Sequence, residues 1–118
     1  MPEHTTTFAK ALSAFHAASE DLQHCTRVEM LGEAGKPVQR RDALLRIVGT
    51  DNPLTGKPHS ASSAETVANE EPVFSLYLRA CTDAVISRMK AETAVQAARW
   101  NVELAIAEHS RMRETVGV

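Results

Sequence analysis

Residues 72–115, PVFSLYLRACTDAVISRMKAETAVQAARWNVELAIAEHSRMRET, contain no glycine and, after Pro72, no proline. Phe74, Leu78, Cys81, Val85, Met89, Thr93, Gln96, Trp100, Leu104 and Ala107 recur there with a mean step of about 3.7 residues, one side of a helix. Ala80, Ala84, Ala91, Ala94, Ala98, Val102 and Ala105 form a second, smaller stripe, so this helix is expected to be packed from more than one direction. Pro72 after Glu70-Glu71 suits its start, with proline at the first position and acids at the positive end of the dipole. A long helix over about 72–115 decides the fold class. The protein is expected to be all-α.

Working back from it, Ser62-Ser63-Ala64-Glu65 matches a capping box and predicts a short helix over about 63–69. Residues 49–61 hold two prolines and two glycines and are expected to be irregular. Arg40, Arg41, Ala43, Leu44, Leu45, Ile47 and Val48 predict a short helix over about 38–48, with Pro37 at its entry. Gly32-Glu33-Ala34-Gly35-Lys36-Pro37 reads as a turn. Before it, Phe8, Ala11, Leu12, Phe15, Ala18, Leu22, Cys25 and Val28 share a face of a helix over about 6–31, with Thr5, Thr6 and Thr7 as cap candidates and Gly32 as its stop.

These lengths do not match. A helix of about 44 residues spans about 66 Å, and one of about 26 residues spans about 39 Å. A compact domain of 118 residues is only about 35 Å across. Either the long helix kinks or a second subunit covers the uncovered 27 Å or so; without an internal proline the second is favoured. The expected architecture is a single domain, 1–118. It is a long antiparallel helical hairpin, coiled-coil-like, with short intervening helices and an irregular Pro/Gly loop, completed by oligomerisation into a dimer or higher. Ala84, Val85, Met89, Trp100 and Leu104 are the candidate interface residues.

Composition bounds the function. The net charge of −2 gives no global field toward nucleic acid or an anionic membrane, and no run approaches the roughly 20 apolar residues of a span. The first residues, Met1-Pro2-Glu3-His4-Thr5, lack the basic and apolar regions of a secretory signal. A cytoplasmic location with reduced Cys25 and Cys81 follows as the expectation.

The motifs that invite chemistry are weak. Gly49 and Gly56-Lys57 resemble a phosphate loop, but six residues separate the glycines where four are needed, and Pro58 replaces the Ser/Thr that would hold magnesium. His16, Glu20 and His24 line one edge of the first helix at four-residue steps and are the candidate metal ligands; the alternative is an exposed polar edge. Cys25 and Cys81 fall on apolar faces, where thiols behave as small hydrophobes. His59 beside Ser60, Ser62 and Ser63 lacks a third group to orient it. Between Gly32 and His59 five basic residues face three acidic ones, for a local charge of +2. Arg40, Arg41, Arg46, Lys57 and His59 are the candidate nucleic-acid contacts; a solvated edge, or a salt bridge to Glu70 and Glu71, is the alternative.

The run NPLTGKPHSASSAE, from Asn52 to Glu65, followed by the acidic-proline entry to the long helix, resembles small helical proteins of phage and prophage origin. That resemblance covers about residues 52–73. It implies an accessory role in a phage or bacterial cytoplasm and carries over no catalytic or binding residue. The expectation is a non-enzymatic, self-associating interaction or accessory protein without a cofactor. A nucleic-acid accessory protein and a metal-binding helical protein are the alternatives.

Overall fold

The computed structural model describes the backbone of residues 3–116 and the surroundings of the side chains of residues 7–113. Among these residues the structure is all-α: α1 (Glu3–Ile47), α2 (Ala61–Val67), a 3₁₀ turn (Ala68–Glu70) and α3 (Pro72–Val116). The chain packs as two compact units. Residues 1–27 and 86–118 form one, and residues 28–85 the other.

The long helix starts at Pro72 as its sequence requires, but α1 differs from expectation. The turn expected at 32–37 is absent, and the helices expected over 6–31 and 38–48 are one helix of 45 residues, as long as α3. Thr5, Thr6 and Thr7 therefore lie inside a helix that begins at Glu3; the side chains of Thr5 and Thr6 fall outside the described residues.

The glycines act here by their size. In the 28–85 unit, the Tyr77 hydroxyl donates to the Gly32 carbonyl oxygen at 2.6 Å. A Cβ at Gly35 would overlap that hydroxyl, and one at Gly32 would sit 3.2 Å from Cys81 Sγ. Gly32 and Gly35 form a notch that admits Tyr77 and Cys81, and that packing outweighs the roughly 1 kcal/mol of lost helix propensity at each glycine. Pro37 lies on the exposed side of α1, as does Glu33, whose carbonyl loses its usual donor. Water can take the donor's place there.

Which stripe of α3 is covered also differs. Among its buried and half-buried residues, one series runs through Phe74, Tyr77, Cys81 and Ala84 in one unit, then Arg88, Ala91, Val95, Ala98, Val102, Ala105 and His109 in the other. They alternate steps of three and four, a mean of 3.5, with alanine at 84, 91, 98 and 105. That is the spacing of a helix-pair seam, and alanine permits a short interaxial distance. Among the half-buried residues of α1 in the 1–27/86–118 unit, Phe8, Ala11, Phe15, Ala18, Leu22 and Cys25 step likewise, with Leu12, Ser19 and Thr26 beside them. The larger stripe has a mean step of 3.7 and drifts out of the seam. Phe74 and Cys81 are buried and Leu78 and Val85 half-buried, but Met89, Trp100 and Leu104 are 55, 61 and 43 % exposed.

The densest packing is in the 28–85 unit, where Ala43 and Ile47 of α1, Ala64 of α2, Ala68 of the 3₁₀ turn and Phe74 of α3 are buried. Among the described residues no large side chain is fully buried.

Gly35→Ala is expected to lower stability by about 1–3 kcal/mol through overpacking against Tyr77. In a Tyr77→Phe background, which removes the hydroxyl, the same change is expected to be neutral or to stabilise by up to about 1 kcal/mol. Urea denaturation of the four chains measures both.

Candidate functional site

Two surfaces are candidates, one in each unit. The first is an open cleft of about 540 Å³ in the 28–85 unit, lined among others by Arg46, Ile47, Asn52, Leu54, His59 and Glu71. It forms where α1 ends and the loop returns to α2. Gly49 takes φ +88° and Gly56 φ +70°, backbone values that only glycine adopts without strain. Between them the loop closes on itself: Gly49 N–H donates to the His59 oxygen at 3.1 Å, His59 N–H to Thr50 at 2.7 Å and Asn52 N–H to Lys57 at 2.8 Å. Leu54 stands at the tip, 93 % exposed.

This ladder sets where α2 begins. Because His59 is held to Thr50, the first residue free to turn is Ser60. The capping box is Ser60 with Ser63, two residues before the expected Ser62–Glu65 pair: Ser63 N–H donates to Ser60 Oγ at 3.2 Å, and Ser60 N–H to Ser63 Oγ at 3.0 Å. Ser63 Oγ also meets His59 Nδ1 at 3.0 Å, and His59 is buried. The neighbouring serines and histidine thus tie the loop to α2.

Glu71 is the cleft's dominant electrostatic feature. Glu71 is 8 % exposed, and its carboxylate accepts from both Arg46 Nε, at 2.8 Å, and Arg46 Nη2, at 2.9 Å. Oε2 also accepts the Phe74 N–H at 2.7 Å, so Glu71 is at once the cap of α3 and the clasp on the end of α1. The Arg46 guanidinium first, then the backbone N–H groups of Phe74 and Val73, hold the carboxyl at about 2, against an ordinary 4.5. The partnership raises Arg46 in turn. Arg46, Thr50, Asn52, His59 and Glu71 all hold protein atoms: Thr50 Oγ1 donates to Ile47, and Asn52 Oδ1 accepts the Leu54 N–H. The arrangement supports the fold.

The second surface is the side of α3 opposite its seam in the 1–27/86–118 unit. At 3.5 residues per turn, positions 86, 93, 100 and 107 lie opposite the middle of the seam, with 90, 97 and 104 on one flank and 89 and 96 on the other. Ile86 and Trp100 are 44 and 61 % exposed there, Met89 is 55 % exposed on one flank, and Leu104, 43 % exposed, is on the other flank, where it lines a shallow cleft with Thr7, Lys10 and Ala11 of α1. Single exposed apolar residues are normal on a protein surface, but an exposed tryptophan on the same helix as exposed Ile86 and Met89 makes this side a candidate contact surface.

The other sequence candidates fall as follows. Ala84 and Val85 are half-buried, Ala84 in the seam, so Met89, Trp100 and Leu104 are the interface candidates that remain accessible. His16, Glu20 and His24 are exposed on α1, and no three His, Cys, Asp or Glu among the described residues converge in the manner of a metal site. Of the basic set, Arg46 is paired and His59 buried, while Arg40, Arg41 and Lys57 are exposed. Cys25 is half-buried and Cys81 buried, both as free thiols. Among the described residues no helix is long and apolar enough to cross a membrane. No protein-family model, curated protein or solved structure matches the chain.

The clasp has a pH signature. Glu71 has a lower pKa folded than unfolded, so its stabilisation is complete above about 4.5 and is lost as pH falls toward 2. Glu71→Gln keeps the shape and removes the charge. It is expected to cost about 1–3 kcal/mol at neutral pH. It should also flatten the acid limb of a stability profile followed by urea midpoint.

Proposed function

We propose that this chain is a non-enzymatic, self-associating helical protein that serves as an interaction or accessory module in the cytoplasm, with the outer face of α3 as its association surface. The observation that carries this reading is the exposure of Ile86, Met89 and Trp100 on the sides of α3 turned away from its seam, with Leu104, 43 % exposed, at the edge beside α1. A tryptophan side chain presents about 150–250 Å². Covering the 61 % of Trp100 that faces water therefore removes on the order of 100 Å² from solvent, about 2–3 kcal/mol at 25 cal/mol per Å². The absence of any fully buried large side chain among the described residues points the same way, because a helix pair without a deep core gains most from a further layer. The resemblance of residues 52–73 to phage and prophage proteins adds a phage-related setting to this reading.

Analytical ultracentrifugation tests it. The native chain of 12.9 kDa is expected to sediment as a dimer or higher species whose population rises with concentration. Trp100→Lys combined with Leu104→Glu is expected to give monomers with unchanged helix content by circular dichroism. A native chain that stays monomeric at its highest workable concentration overturns the reading.

A further inference from the structure

We draw no further inference here: the strongest candidate, the surface patch on α1 of the 28–85 unit where Leu31, Val38 and Leu45 recur at seven-residue steps and are 67, 50 and 72 % exposed, is an unpartnered apolar helix face, and nothing in the structure shows what covers it.

Discussion

Two helices lying side by side can cover only one stripe of each other, and the rest of this structure depends on that limit. α3 meets it by giving the covered stripe its smallest residues, alanine at 84, 91, 98 and 105. α1 meets it with Phe8, Phe15 and Leu22 in one unit and with Gly32 and Gly35 opposite Tyr77 and Cys81 in the other. A seam so built brings backbones close but buries little apolar area per residue, because alanine has little to bury. Beyond Val85 the larger apolar side chains outside the seam, Met89, Trp100 and Leu104 among them, are then left largely exposed.

The 28–85 unit supplements that seam with polar connections. Glu71 satisfies the first turn of α3 and at the same moment fixes Arg46 at the last turn of α1, so one carboxylate sets the position of two helix ends. Ser63 has the same double role on a smaller scale, closing the cap of α2 while holding His59. Because His59 is itself paired through its backbone with Gly49 and Thr50, the loop, α2 and the entry of α3 form one connected set of hydrogen bonds. Such a set is cooperative, since loss of any member frees groups on two elements.

How much of this was legible in the sequence depended on whether the signal was local. The start of α3 was, because Pro72 and the acids before it speak only to their own neighbours. So were the irregular loop and the pairing of Glu71 with the basic segment as one of two options. Gly32, Gly35 and Pro37 were misleading because a glycine that breaks a helix and a glycine that admits a tyrosine are the same letter; Tyr77 lies 42 positions beyond Gly35. The capping box was displaced by two residues for a like reason, since the hydrogen bond that decides it belongs to Thr50. The seam itself was readable, as alanine at every seventh position from 84 to 105, but larger side chains draw attention to the 3.7-residue stripe. Over four turns a step of 3.7 against 3.5 carries a stripe well away from the seam it started in.

That drift changes the ground on which self-association rests. From sequence the case was one of length, a helix of about 66 Å against a partner of about 39 Å. α1 has 45 residues, as has α3, so the mismatch is gone. What replaces it is direction. Ile86 and Trp100 of α3 stand on the side turned away from the seam, which no lengthening of α1 would cover. In the proposed assembly a second helix approaches from outside, and a copy of α3 brings to it an equal apolar surface.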